Sequence, residues 1–420
     1  MKVKILYILL LLLTGACSSS KKISQDFVKT SAENNYFRGL VVYEPEKDKV
    51  LINENGSKYF TPASNTKLFT FYTAYKTFKD SVTALKYKRT TDSLIVLGTA
   101  DPSLEYIFEG NKTLEFLKNN TQEVFLVDAH IKDAKYGNGW SWDDYAYYYM
   151  PERNLFPIYG NVVNISKNGS NLKVVPRFLE QNFSITDSIT KKRDVGANNF
   201  YALNNEEIKD RKTPFQTSNQ LLADLLSKEI GEKVVLIKYK NTEDFQELKS
   251  IKYDSLYKEM LMESDNFIAE QLLLQVGNEV DSTYSVESAI KYSLTHYLHD
   301  IPQKPRWVDG SGLSRYNLFT PESLVYLLNK MYREIPFEKL LTYFPVGGES
   351  GTLENYYKNE KPYVFAKSGT LSNNYNLSGY LITKKGKVLI FSYMNNHYQG
   401  SSSARKKEMN TIFKKLYDAY

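Results

Sequence analysis

Three short polar elements stand in fixed order along this chain: Ser64-Asn-Thr-Lys67, then, about 200 residues later, Ser264-Asp-Asn266, then Lys367-Ser-Gly-Thr370. Strand-like segments flank the long gap, at residues 37–43 and 49–60 before it and at 363–366, 375–383 and 387–394 after it. These two sets close into one sheet only if the middle of the chain is looped out. A serine alcohol is a poor nucleophile at neutral pH unless a base takes its proton. S-x-x-K at the start of a helix places such a base one turn from the hydroxyl. Chance supplies roughly three S-x-x-K matches in a chain of this length and composition, so the ordered set of three elements carries the inference, not the first alone.

From Ser64 onward, Leu68, Phe71, Tyr72, Tyr75 and Phe78 recur at helical spacing. This places Ser64 at the N-terminus of a core-packed helix, an end that favours negative charge. The stretch from Lys67 to Ser264 has a different texture: β-like runs at 93–97, 123–127, 161–165 and 172–175, and one clear helix at 218–230 with Leu221, Leu222, Leu225 and Leu226 as its stripe. Its aromatic run from Trp140 to Tyr149 suits either a packed junction or stacking on sugar rings. A helical pattern returns over 254–277 and is broken by Ser264-Asp265-Asn266, which predicts a local kink that presents these three residues. Lys367-Ser-Gly-Thr370 is expected at the exit of the 363–366 strand, and a helix over 404–420 is expected to pack on the terminal sheet.

With 420 residues and 42% apolar content, the chain can bury at least one substantial core. Met1-Lys-Val-Lys4, an apolar run from Ile5 to Leu13 and Thr14-Gly-Ala-Cys17 read as a charged region, an apolar region too short to span a bilayer, and a cleavage site. Cys17 is the only cysteine, which rules out an intramolecular disulfide, and its setting resembles a bacterial lipoprotein processing site. Residues 1–16 are accordingly read as a signal peptide and 17–25 as a flexible tether to a membrane. Ser18-Ser19 lacks the Asp of inner-membrane retention, which points to the periplasmic face of the outer membrane. The formal charge of +6 includes Lys2 and Lys4 of the leader, and no basic cluster suggests nucleic acid. His296 and His299 lie one turn apart without a third ligand or an H-E-x-x-H, so neither metal nor cofactor is expected.

The three elements resemble those of the penicillin-recognising serine acyltransferases. Their spacing is similar to that of the D-alanyl-D-alanine carboxypeptidase/endopeptidase group with a long insertion between the first two motifs, the penicillin-binding protein 4 type, peptidase family S13. Further family-like phrases are Ala100-Asp-Pro-Ser-Leu104, Asp309-Gly-Ser-Gly-Leu-Ser-Arg315, Gly351-Thr-Leu353 and Tyr375-Asn-Leu-Ser-Gly379.

The resemblance implies an α+β fold: an antiparallel five-stranded sheet flanked by helices, formed by 26–85 and 250–420, with a β-rich accessory region at 86–249. It implies Ser64 as nucleophile, Lys67 as its base, Ser264 as proton relay and Asn266 as a contact to the acyl side of the substrate. Lys367, Ser368 and Thr370 would hold the terminal carboxylate, and the N–H groups of Ser64 and Thr370 would form the oxyanion hole. Lys67 would be kept neutral by burial and by the Lys367 charge. The implied partners are peptidoglycan stem peptides and β-lactams. The chain departs from the family pattern in carrying Ser368 for the commoner Thr and Glu354, Tyr356 and Tyr357 where a basic residue is frequent. The rival readings are a β-lactamase or esterase on the same scaffold, and a wall-binding lipoprotein without turnover.

Overall fold

The computed structural model describes residues 20–31, 34–169, 171–188 and 191–420. Cys17, the signal peptide read over 1–16 and the first part of the tether lie outside the described residues. The chain divides into two compact units, one made of Met1–Tyr72, Tyr257–Asp265 and Leu298–Tyr420, the other of Thr73–Leu256 and Asn266–Tyr297. The cuts expected at 86 and 249 thus fall inside the second unit, and residues 266–297 group with the insertion. The reason lies in buried polar contacts. Gln271, on the helix Asn266–Asp281, donates from Nε2 to the Ala100 and Asn154 carbonyls at 3.2 and 2.8 Å.

In the first unit the chain ends build one antiparallel sheet in the order Val364–Leu371, Asn374–Ile382, Val388–Asn396, Phe37–Glu44, Lys49–Glu54. The closure between the chain ends is the pairing of Phe37–Glu44 with Val388–Asn396, with Leu40 opposite Tyr393 and Val42 opposite Phe391. Leu40, Val42, Leu377, Leu389, Phe391 and Tyr393 face a core shared with Met409, Phe413 and Leu416 of the helix Ser402–Ala419. Against the other face lies the helix Pro321–Glu334, whose Leu328 carbonyl accepts a bond from the Tyr380 hydroxyl at 2.8 Å. That helix opens on a capping box between Thr320 and Ser323, with Pro321 in its first turn. Coverage on both faces explains why the Val388–Asn396 strand is buried at every position and reads as a continuous rather than an alternating run.

Two expectations need correction. The tether read over 17–25 is helical from residue 20 to 31, with Ile23 and Phe27 only 4% and 1% exposed in the sheet's core. The Phe27 ring meets Tyr393 edge-on at 5.4 Å and lies 4.3 Å from the Arg38 guanidinium. Its burial stabilises the fold by about 1.5–3 kcal/mol. Two apolar residues one turn apart amid Ser and Lys make too short a stripe to register as a helix. The strand read over 49–60 ends at Glu54, because Asn55 takes a positive φ of 55° and turns the chain; Phe60 then bridges to Phe319.

The second unit holds a mixed five-stranded sheet in the order Val234–Ile237, Glu123–Val127, Ser93–Gly98, Ser81–Arg89, Gln246–Lys252. Its first three strands run parallel to one another. The expected runs at 161–165 and 172–175 form a hairpin, Val162–Asn168 with Asn171–Val175. Helix Asn219–Ile230 is capped by Ser218, whose Oγ accepts from the Leu221 N–H, and stopped by Gly231 at φ 81°. Leu94, Val96, Val124 and Leu126 share one core with Val163, Ile165, Phe200, Leu222 and Leu226, so sheet, hairpin and helix form a single accessory body. Among the described residues no helix is long and apolar enough to cross a membrane.

Candidate active site

The chain enters the first motif through a tightly held turn. The Thr61 N–H donates to Asn396 Oδ1 at 2.6 Å, and its carbonyl accepts from Asn376 Nδ2 at 2.9 Å. Ala63 then adopts φ 50°, a left-handed conformation that costs a non-glycine residue of the order of 1–2 kcal/mol and requires the surroundings to enforce it. A single 3-10 turn, Ala63–Asn65, leads into the helix Thr66–Thr77. Ser64 is half-buried at the head of that helix while its neighbours are buried. Gly312 fits against this turn only without a side chain: an added Cβ would come 1.9 Å from the Ala63 carbonyl.

Lys67 is wholly buried, with Nζ 2.9 Å from Ser64 Oγ and donating to the Ser311 carbonyl at 2.7 Å. The loop bearing Ser311 is shaped by the buried Asp309 carboxylate, which accepts from the Gly312 and Ser314 N–H groups at 2.9 and 2.6 Å and from Asn317 Nδ2 at 2.7 Å. Asp309 therefore anchors the loop that aims a carbonyl at Lys67.

The second motif sits in the break between the helices Tyr253–Met262 and Asn266–Asp281, with Ser264 at φ 63°. The kink expected from three polar residues in an apolar helical run is present. Ser264 Oγ accepts from Lys367 Nζ at 2.8 Å. Asn266 belongs to the second unit, where its Nδ2 donates to the Tyr149 carbonyl at 2.8 Å.

Lys367-Ser-Gly-Thr370 lies inside the strand Val364–Leu371 rather than at its exit, because pairing with Asn374–Ile382 continues through Leu371. That strand is the sheet's edge. Residues 345–347 cover its start: the Ala366 N–H donates to the Pro345 carbonyl and the Gly347 N–H to the Val364 carbonyl. Edge strands present unpaired N–H and C=O groups to which an extended peptide can add. Gly369 lets this edge press on the nucleophile, since a Cβ there would lie 2.5 Å from the Pro62 carbonyl and 3.1 Å from the Ser64 nitrogen. Lys367 is wholly buried and also donates to the Ser368 carbonyl at 2.9 Å. Burial, and next the neighbouring Lys67, hold its ammonium well below the usual lysine range, with Glu263 pulling the other way. Ser368 Oγ donates to Thr352 Oγ1 at 2.8 Å, and Thr370 is exposed.

Ser64, Lys67, Ser264, Lys367, Ser368 and Thr370 thus all fall in the first unit, with Ser64–Lys67 and Ser264–Lys367 as hydrogen-bonded pairs. At this strained helix entry, beside an open strand edge, a buried lysine faces a serine hydroxyl. A family model for the D-Ala-D-Ala carboxypeptidase 3 (S13) family matches residues 21–416.

The chain belongs to that family.

An S13 chain is a hydrolase, a D-Ala-D-Ala carboxypeptidase. A penicillin-sensitive carboxypeptidase A of Dictyostelium discoideum is 24% identical over 81% of this chain and 78% of its own. The D-alanyl-D-alanine carboxypeptidase DacB of Haemophilus influenzae is 24% identical over 88% and 87%. Penicillin-binding protein 4 of the same bacterium shares the fold, with a TM-score of 0.70 at 21% identity over 90% of this chain and 94% of that one. A predatory endopeptidase of Bdellovibrio bacteriovorus, solved in its penicillin-G-acylated form, reaches a TM-score of 0.52 at 15% identity over 90% and 91%.

Several residues that shape this site act in ways the sequence does not show. Asn65 is fully buried; its Nδ2 donates to the Lys367 carbonyl at 2.7 Å and its Oδ1 accepts from Ser378 at 2.8 Å, joining the nucleophile turn to the edge strand. Ser311 acts through its carbonyl, which no side-chain pattern reveals. Thr352 lies within the Gly351-Thr-Leu353 phrase, yet only the fold brings its hydroxyl to Ser368. His296 stacks on Tyr292 at 4.1 Å, and no cluster of potential metal ligands occurs among the described residues.

Proposed function

We propose that Ser64 attacks the carbonyl carbon of the D-Ala-D-Ala peptide bond of peptidoglycan stem peptides and carries the acyl group, with Lys67 as its base. The observation that carries this reading is the 2.9 Å contact of Ser64 Oγ with a buried lysine whose amine is also held by the Ser311 carbonyl. Neutral Lys67 takes the hydroxyl proton as the Oγ–C bond forms. The oxyanion is met by the N–H groups of Ser64 and Thr370, supported by the close approach of Gly369 to the Ser64 nitrogen. Collapse breaks the C–N bond, and the departing D-alanine amine receives a proton through Ser264. Water then hydrolyses the acyl-serine and restores the enzyme.

Lys367, with the Ser368 and Thr370 hydroxyls, holds the free carboxylate of the terminal D-alanine. Asn266 contacts the acyl side. Where the amine leaving group belongs to a neighbouring stem peptide, the same steps cut a cross-link, which gives endopeptidase action. β-Lactams enter as acylating inhibitors of Ser64. We further infer that Cys17 is lipidated and holds the enzyme at the periplasmic face of the outer membrane, a reading supported by the leader sequence.

Purified protein given a stem pentapeptide and a cross-linked muropeptide should release D-alanine from the first and split the second. Loss of both activities in Ser64→Ala supports the assignment, whereas a wild-type protein that leaves both substrates unchanged overturns it.

A further inference from the structure

The second unit carries an open pocket of about 330 Å³ that the catalytic chemistry does not use. It is lined by Asp143, Tyr145, Tyr147, Lys192, Glu206 and Arg211 among others, all within that unit. Its volume lies at the lower end of the range for small-molecule sites, roughly 300–1,000 Å³.

Tyr145 and Tyr147 of the aromatic run form one rim, and part of that run stays at the surface. Trp142, Tyr147 and Tyr148 are 75, 44 and 65% exposed, which gathers three large exposed aromatics in seven residues. Soluble proteins seldom cluster apolar rings at the surface without a ligand to cover them. Tyr147 is held in place, stacked on Tyr149 with ring centroids 5.5 Å apart and 10° between planes, and Lys192 Nζ lies 4.5 Å from its ring centre. Tyr145 is fixed by its hydroxyl, which donates to the Arg193 carbonyl at 2.8 Å.

The charges in the pocket nearly cancel. Arg211 donates to Glu206 at 3.1 Å, and Lys191 is paired with Asp194 at 2.5 Å. Arg211 Nε is buried with no hydrogen-bond partner within the protein. A site with rigid aromatic faces, donors and acceptors of both kinds and little net charge suits an uncharged polyhydroxyl ring. It does not suit a phosphorylated or polyanionic polymer, which would call for an excess of free cations.

We propose that this pocket binds the glycan strand of peptidoglycan, the N-acetylated amino-sugar polymer to which the stem peptides are attached. The proposal rests on the stem-peptide reading above, and it makes the enzyme selective for substrate still joined to its glycan. Tyr145 and Tyr147 take the sugar's apolar face, while Lys192, Asp143 and the Arg211–Glu206 pair bond its hydroxyl and acetamido groups.

The test compares wild type, Tyr147→Ala and Lys192→Ala on two substrates, intact glycan-linked peptidoglycan and a glycan-free stem pentapeptide, with binding of N-acetylglucosamine tetrasaccharide followed by titration calorimetry. The expected result is a fall in kcat/KM of about tenfold or more on the glycan-linked substrate, with glycan-free turnover kept within about twofold and saccharide binding weakened in both variants. Equal effects on the two substrates, unchanged rates on both, or no saccharide binding by wild type would overturn the proposal. Wild-type release of D-alanine from the free pentapeptide reports on the catalytic reading separately, so failure of one is distinguishable from failure of the other.

Discussion

Lys67 and Lys367 are both wholly buried and close enough for each charge to oppose the other, and the proposed mechanism gives the two amines different tasks. The base must be neutral to accept the Ser64 proton, and the carboxylate receptor must be charged to hold the substrate. Lys367 is pushed down by burial first and by Lys67 second, so in the free enzyme it loses its proton below the ordinary lysine range. A bound carboxylate favours its charged form and draws a proton back. Affinity for a D-alanine-terminated peptide is therefore full below the free-enzyme pKa of Lys367 and declines as pH rises through it. A KM-against-pH profile should show KM rising on the alkaline side at a pH below the usual lysine range. The same peptide with its carboxylate amidated should bind weakly at every pH without that limb. The sign is opposite to that of a salt-bridged carboxylate, because a lysine carries its charge when protonated and binding therefore takes up a proton. Asn65 offers a second test. Asn65→Leu strips partners from the Lys367 carbonyl and the Ser378 hydroxyl, and should cost about 1–3 kcal/mol in chemical denaturation together with a slower acylation rate.

At the scale of elements, the site is an agreement between a turn and a strand edge. Gly369→Ala puts a methyl group into the Pro62 carbonyl and should move the edge away from Ser64, lowering the acylation rate by about 10²-fold while the protein stays folded. Single-turnover acylation together with circular dichroism measures both. The elements legible in the sequence were those with a period or a break in one. Helix Asn219–Ile230 was announced by its leucine stripe, and the break at Ser264 by polar residues in an apolar run. What was not legible depended on contacts distant in sequence. The helical part of the expected tether has only Ile23 and Phe27 to mark it, and both make sense only once Tyr393, more than 300 residues away, supplies the surface beneath them. The extension of the last-motif strand past Ala366 depends likewise on its partner Asn374–Ile382. The three motifs were readable because side chains carry their chemistry; the Ser311 carbonyl and the Gly369 approach were not, because backbone does that work.

For the whole molecule, the sheet that presents Ser64 is closed by strands from the two ends of the chain and braced by the helix at residues 20–31. This brace sets where a shortened form can begin. Phe27→Ala should lower stability by about 3–5 kcal/mol, read by denaturant titration, and a form starting after residue 31 should be less stable than one starting at Ser18. The second unit, mostly an insertion of some 180 residues, has a core of its own in the cluster around Leu94, Val124, Ile165 and Leu226. The most direct test of the account is the intact-protein mass of the form beginning at Ser18 after incubation with benzylpenicillin, alongside Ser64→Ala. A single long-lived penicilloyl adduct on wild type, absent from Ser64→Ala, is the expected result. An unmodified mass in folded wild type, or an adduct that persists without the Ser64 hydroxyl, would contradict the assignment of Ser64 as the nucleophile.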